Sequence, residues 1–163
     1  AATAYARLLA AGSSPRAEDW YRLGHAYLQN EEAVSAREAF GKALKADPKH
    51  APSALQLARL AAERGETDEA RRLFAVSMEA APDSPAACAA LGEFEARAGA
   101  HDRAVQAYAE AILRGDSTPS LRHALVLALQ AAGKKEEAAE ALKHALREHP
   151  LDERLRGLLK GDR

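Results

Sequence analysis

Residues 17–50 read AEDWYRLGHAYLQNEEAVSAREAFGKALKADPKH, and this stretch decides the fold. Proline at position 48 should end its second half, because proline has no amide donor and clashes with the preceding helical turn. The first half has the spacing of three and four that places side chains on one face of an α-helix. The residues with this spacing are Trp20, Leu23, Gly24 and Tyr27.

The same landmarks return every 34 residues. A fixed period of this length is typical of solenoids built from helix-turn-helix units. The sequence therefore predicts helices at 18–30, 33–46, 52–64, 68–80, 86–98, 102–114, 120–132 and 135–148.

Glycines mark the turn between the two helices of three of these units. Gly65, Gly99 and Gly133 share one offset, where the first helix should end on a residue in the left-handed conformation. Asn30 lies one place before this offset in residues 17–50, and we expect it to take that conformation there, because asparagine tolerates it better than most residues.

The pattern resembles the tetratricopeptide repeat (TPR) family, whose motif runs Trp-x2-Leu-Gly-x2-Tyr, then Ala, an aromatic residue, Ala and Pro. Residues 17–50 match every landmark of that motif. The resemblance implies an all-α, right-handed superhelical solenoid of antiparallel helix pairs, forming a single TPR domain over residues 1–163. The implied parts are the second helix of a partial preceding repeat at 1–16, repeats at 17–50, 51–84, 85–118 and 119–152, and a C-terminal capping helix at 153–163.

Several positions depart from the motif. Arg122 and Val126 occupy the Trp and Gly places of the fourth unit, so we expect its helices to pack with a wider gap. Glu95 replaces the aromatic residue of the third unit, and Asp116 replaces its proline.

Composition excludes several classes of partner. Hydrophobic residues make up 47% of the chain and charged residues 29%, which is enough apolar surface for folding and argues against disorder. The formal net charge of -1 gives no attraction to nucleic acid. Charged residues interrupt every apolar run, so no membrane insertion is expected.

No residue pattern indicates a catalytic site, a metal site or a cofactor, so the sequence predicts a protein that is not an enzyme. Cys88 lies on an apolar helical face and is predicted to be buried. None of the six histidines has the spacing of a metal ligand. His50 and His101 lie in turns between helices and are expected to be solvated.

The other face of each first helix is the candidate binding surface. In TPR proteins the first helices line the concave face of the superhelix, which implies a groove for a protein or peptide partner. The candidate partner-binding residues are Tyr21, His25, Leu28, Leu55, Arg59, Ala62, Ala89, Glu93, Ala96, His123, Leu127 and Gln130.

One TPR subgroup binds the C-terminal carboxylate of chaperones through a Lys-Asn-Asn-Lys-Arg set on these helices. Chaperone tails are therefore not expected as ligands, because the corresponding places here hold Tyr21, His25, Gln56, Ala86 and Ala90.

The first functional hypothesis is a non-catalytic scaffold or adaptor that binds a peptide or helical segment in this groove. The alternatives are the substrate-recruiting or regulatory arm of a larger enzyme, such as a glycosyltransferase, or part of a bacterial secretion or envelope-assembly protein. Homo-oligomers through the terminal helices are a further option. The sequence fits a cytoplasmic or a bacterial periplasmic protein.

Overall fold

A computed structural model describes residues 15–159 of the chain. The helices in this range are α1 (Ala17–Gln29), α2 (Ala33–Ala46), α3 (Ala51–Glu63), α4 (Thr67–Ala80), α5 (Ala86–Arg97), α6 (His101–Leu113), α7 (Pro119–Ala131), α8 (Lys135–Glu148) and α9 (Glu153–Leu158). All eight predicted helices are present, and their ends agree with the predictions to within one residue. The expected helix in residues 1–14 and residues 160–163 of the expected capping helix lie outside the described range.

Helices adjacent in sequence pack as antiparallel pairs, α1 with α2, α3 with α4, α5 with α6 and α7 with α8. The prediction of an all-α fold is therefore confirmed. The chain divides into two compact units, Ala1–Ala81 and Pro82–Arg163, which are described separately. None of the helices described is long and apolar enough to cross a membrane.

In the first unit, Leu23 of α1 and Ala39 of α2 are buried together, and Trp20 and Tyr27 pack against them. The Nζ atom of Lys42 lies 4.7 Å from the centre of the Trp20 ring, where a cation is attracted to the aromatic face. The face of α1 that the sequence predicts to be apolar thus packs against α2.

A glycine makes room for an aromatic ring inside this pair. A Cβ atom added to Gly24 would lie 2.5 Å from Phe40 Cε1, and Phe40 is fully buried. Gly92 stands in the same relation to Tyr108 in the second unit, again at 2.5 Å. The glycines of the motif therefore allow close packing of an aromatic side chain from the partner helix.

The turn between α1 and α2 corrects one prediction. Asn30 has φ -95°, and Glu31 adopts the left-handed conformation with φ 61°. The Glu32 amide donates to the Tyr27 carbonyl at 2.9 Å, which closes the turn as the Lys134 amide does with Leu129. This hydrogen bond fixes which residue of the turn must have the left-handed conformation. In the first pair that residue is at position 31, and at the matching places of the later pairs it is a glycine.

We therefore expect Glu31→Gly to stabilise the protein by about 0.5–1 kcal/mol, because glycine removes the strain of a side chain at positive φ. Thermal unfolding measured by circular dichroism would show a higher Tm. Gln29→Gly, placed in the last turn of α1, is the control and should lower the Tm. A lower Tm for Glu31→Gly would contradict this interpretation of the turn.

An ion-pair cluster joins α2 to the start of α4. Arg37 contacts both carboxylate oxygens of Glu66, with Nη1 at 2.9 Å from Oε1 and Nη2 at 2.8 Å from Oε2. Arg64 Nε also donates to Glu66 Oε1 at 2.9 Å. Hydrogen bonds from Arg37 and then Arg64 lower the pKa of Glu66 to about 2. The folded state therefore favours the carboxylate form.

The lowered pKa predicts a stability contribution that is present above about pH 4.5 and is lost as the pH falls towards 2. Glu66→Gln should lower the Tm at pH 7, and its difference from wild type should shrink as the pH falls through that range. Thermal unfolding at several pH values would measure this difference. Glu63→Gln, an exposed neighbour, should leave the Tm unchanged. Equal Tm values for wild type and Glu66→Gln at pH 7 would contradict the prediction.

In the second unit, α9 covers the apolar side of the fourth pair. Leu155 is fully buried and packs with Val126, Leu129 and Leu142, and the Leu155 amide donates to Asp152 Oδ1 at 2.9 Å.

The departure at Glu95 produces a buried carboxylate. Glu95 is 2% exposed, and Arg103 Nε donates to its Oε2 atom at 3.1 Å. The charge needs such a partner, because burying a carboxylate without one is costly.

Candidate partner-binding surface

In the first unit, the outward face of α1 carries two aromatic rings in contact with each other. Tyr21 and His25 meet edge to face, with ring centroids 4.6 Å apart. The Phe40 ring supports both of them, at 5.7 Å from Tyr21 and 5.6 Å from His25. Because Phe40 is fully buried, the core fixes the position of this aromatic pair.

The start of α3 extends the same surface. The Gln56 side chain lies near the Tyr21 hydroxyl, and the His50 ring lies 5.4 Å from the Tyr21 ring. Burial and then the charge of Glu18 raise the pKa of Tyr21, whereas Gln56 and Arg59 oppose this shift. The Tyr21 hydroxyl therefore stays protonated at neutral pH and can serve as a hydrogen-bond donor.

His50 is not the solvated turn residue that the sequence suggested. Its side chain is 13% exposed, and it caps α3 by accepting a hydrogen bond from the Ser53 amide at 3.3 Å. Its Nε2 atom lies 3.5 Å from Glu18 Oε2 of α1. The prediction failed because the capping bond and the neighbouring helix enclose the ring. Histidine is not among the residues preferred at the start of a helix, so the sequence carried no signal for this role.

The two charged residues among the predicted binding residues differ in whether they already have an ion-pair partner. Arg59 is exposed and makes no ion pair with the residues described in the first unit. Glu93 in the second unit already pairs with Arg97, one helical turn away, at 3.6 Å. Arg59 is therefore the better placed of the two to bind a charge from outside.

The other predicted residues of the first unit lie on the same two helices, α1 and α3. Leu28, Leu55 and Ala62 are half-buried on α1 and α3, which leaves part of each side chain open to a ligand. The first unit thus joins an aromatic pair, small apolar side chains and polar donors on neighbouring helices.

In the second unit, α5 and α7 contact each other, so their outward faces are neighbours. The side chains on α5 are small, with Ala89 and Ala96 half-buried beside the exposed Glu93. On α7, Leu127 is 43% exposed. His123 and Gln130 are half-buried one turn from it on either side. This face offers fewer directional contacts than that of the first unit.

Tyr108 supports the face of α5 as Phe40 supports that of α1. Its ring lies against Gly92, and burial followed by the charge of Glu93 raises the pKa of Tyr108 to about 12.

Cys88 is fully buried as predicted, and burial raises the pKa of its thiol. Across residues 15–159, no three His, Cys, Asp or Glu side chains cluster as metal ligands would.

These features define a protein built from repeated pairs of helices. Two tetratricopeptide repeat profiles match the sequence, one over residues 27–94 and the other over residues 1–51. The chain belongs to the tetratricopeptide repeat family.

Solved structures have the same fold. A crystal structure of MamA matches with a TM-score of 0.81 at 23% identity, covering 91% of this chain and 86% of MamA. PilW, described as a widely conserved type IV pilus biogenesis factor, matches with a TM-score of 0.80 at 20% identity, covering 96% and 73%. A thermophilic TPR protein of Thermus thermophilus matches with a TM-score of 0.69 at 22% identity, covering 98% and 87%. No curated protein matches the sequence.

Proposed function

We propose that this protein is a non-catalytic scaffold that binds a peptide or helical segment of another protein along the outward faces of its first helices. The observation that carries the proposal is the arrangement of Tyr21 and His25 over the buried Phe40 ring. Aromatic side chains held by a rigid core lose little entropy on binding, and they dominate many protein interfaces.

The surroundings of these rings favour a polypeptide ligand. Gln56 and Arg59 can donate hydrogen bonds to carbonyl or carboxylate groups. Leu28 on α1 and Leu55 on α3 are half-buried and offer apolar contact. A mixed surface of this kind fits a peptide, which presents both backbone acceptors and apolar side chains.

The alternatives place the same surface in a larger assembly. PilW is a pilus biogenesis factor, and the fold that this chain shares with it favours a role in bacterial envelope assembly as a second candidate. The substrate-recruiting or regulatory arm of a larger enzyme would use the same face.

Photo-crosslinking would distinguish these alternatives by identifying the partner. The photo-crosslinking amino acid would be placed at position 59, with position 79 on α4 as the control.

Removing two anchors should weaken binding strongly. The double variant Tyr21→Ala/Leu55→Ala is expected to bind the captured partner about 1–3 kcal/mol more weakly than wild type, because both side chains contribute buried contact area. Isothermal titration calorimetry would measure the affinity, and circular dichroism would confirm the fold.

The matched control is Val34→Ala/Leu151→Ala, which removes two side chains that are 67% and 82% exposed elsewhere on the protein. Its affinity should equal that of wild type. Unchanged affinity of the Tyr21→Ala/Leu55→Ala variant with an intact fold would reject this surface as the binding site.

A further inference from the structure

The second unit has an apolar groove on a surface that the proposed function does not use. The groove has a volume of about 550 Å³ and lies between α6 and α8, with α7 as its floor. Leu125 and Leu129 line the floor, and Val105 and Ile112 line the α6 wall. We call it the α6–α8 groove.

Small residues keep the α6–α8 groove open. Ala109 of α6 and Ala141 of α8 line its two walls, and neither side chain can fill the space between them. Leu113 at the α6 rim is 81% exposed, a large apolar side chain left in water. Exposed apolar surface that borders a groove is typical of interaction sites.

The polar end of the α6–α8 groove is already neutralised. Arg122, which replaces the tryptophan of the repeat motif, forms an ion pair with Glu148 through its Nη2 atom. Its Nη1 atom lies 3.5 Å from His144 Nδ1. Arg122 therefore offers no free cation to a ligand.

The α8 wall carries two carboxylates, and their negative charge is offset only in part, by Lys134 acting on Glu137. Glu137 and Glu140 line the groove, are exposed, and make no ion pair with the residues described in this unit. Their spacing of three places both carboxylates on the same side of α8. The groove thus has an apolar floor and one acidic wall.

We propose that the α6–α8 groove binds an amphipathic helix of a partner protein that carries an apolar stripe bordered on one side by lysine or arginine. The apolar stripe would cover Leu125, Leu129 and Leu113. The basic border would face Glu137 and Glu140, which selects against helices with acidic borders. Insertion of an amphipathic helix into an apolar groove is a general mode of peptide recognition.

Two synthetic peptides of about 16 residues test the proposal, each with leucines at helical spacing along one face. One carries lysines beside the leucine stripe and the other carries glutamates. Fluorescence anisotropy at low salt should show about tenfold tighter binding of the lysine peptide. The preference should fall at high salt, because the charges are exposed.

Charge reversal locates the site. Glu137→Lys/Glu140→Lys should invert the preference between the two peptides. Glu38→Lys/Glu79→Lys, with the same change in net charge on the first unit, should retain it. Ala109→Phe should weaken both peptides by filling the groove, and circular dichroism would verify the fold of each variant.

Several results would overturn the proposal. These are equal binding of the two peptides, no binding of either, or the same inversion in the control variant. In sedimentation velocity, Glu137→Lys/Glu140→Lys should have the same oligomeric state as wild type. A dimer that dissociates in Glu137→Lys/Glu140→Lys would assign the groove to a second copy of the chain and would also overturn it.

Discussion

Phe40→Ala is expected to lower the free energy of unfolding of the first helix pair by about 3–5 kcal/mol. The Phe40 side chain is fully buried, fills the space opposite Gly24, and supports the rings of Tyr21 and His25. Alanine would leave a cavity at all three contacts. In a repeat protein each unit packs mainly on its neighbours, so the loss should be concentrated in this pair.

Tryptophan fluorescence can report this loss locally. Trp20 is the only tryptophan in the sequence and packs in the α1–α2 pair. Urea denaturation followed by Trp20 emission should show a lower midpoint for Phe40→Ala. The control is Val34→Ala on the same helix, which removes an exposed side chain and should change the midpoint little. A loss below about 1 kcal/mol would show that Phe40 is not the support described here.

Gly24→Ala is expected to destabilise the same pair by about 1–3 kcal/mol. The added Cβ would lie 2.5 Å from the ring of the fully buried Phe40, so the ring or the helices of the pair would have to shift. The clash should outweigh the helix propensity that alanine gains over glycine, about 1 kcal/mol. Urea denaturation followed by Trp20 emission would measure the change.

Gly41→Ala is the matched control for Gly24→Ala. Nothing lies within 4 Å of a Cβ atom added at position 41, so this variant should be more stable than wild type. The two substitutions are chemically identical but should have opposite effects. A stabilising Gly24→Ala would contradict the packing described for this site.

A second substitution should relieve the clash. Phe40→Leu should cost less in the Gly24→Ala background than in wild type, because the smaller side chain leaves room for the new methyl group. The fourth pair already has this combination, since Val126 occupies the glycine place and Leu142 the aromatic place, and both are buried. A double-mutant cycle with no coupling would contradict this explanation.

The helices were predictable because the 34-residue period repeats the same local signals. Apolar spacing, turn glycines and terminal prolines all agree in residues 51–84. Asn30 shows where residue preference fails. The hydrogen bond from Glu32 to Tyr27 sets the turn, and it imposes the left-handed conformation on Glu31 although asparagine is next to it.

The candidate surface was only partly predictable. The stripe on α1 indicated Tyr21 and His25, but their support by Phe40 depends on packing between helices, which a single-helix pattern does not show. The role of His50 depends on the cap of α3 and on Glu18 in another helix. The pairing of Glu93 with Arg97 could have been inferred, because residues four apart on a helix are neighbours.

The α6–α8 groove had no signal in the sequence. Its depth depends on the sizes of side chains from three helices, in particular Ala109 and Ala141. Its charge depends on which carboxylates are already paired. Glu148 is neutralised by Arg122, whereas Glu140 is not, and only the folded chain distinguishes them.

The most direct test of partner binding along the first helices is amide chemical-shift mapping by NMR, during titration with the crosslinked segment of the natural partner. In the first unit, the largest shifts should cluster at Tyr21, His25, Gln56 and Arg59. Small shifts there, with large ones confined to α2 and α4, would contradict the assignment of the binding surface to the first helices.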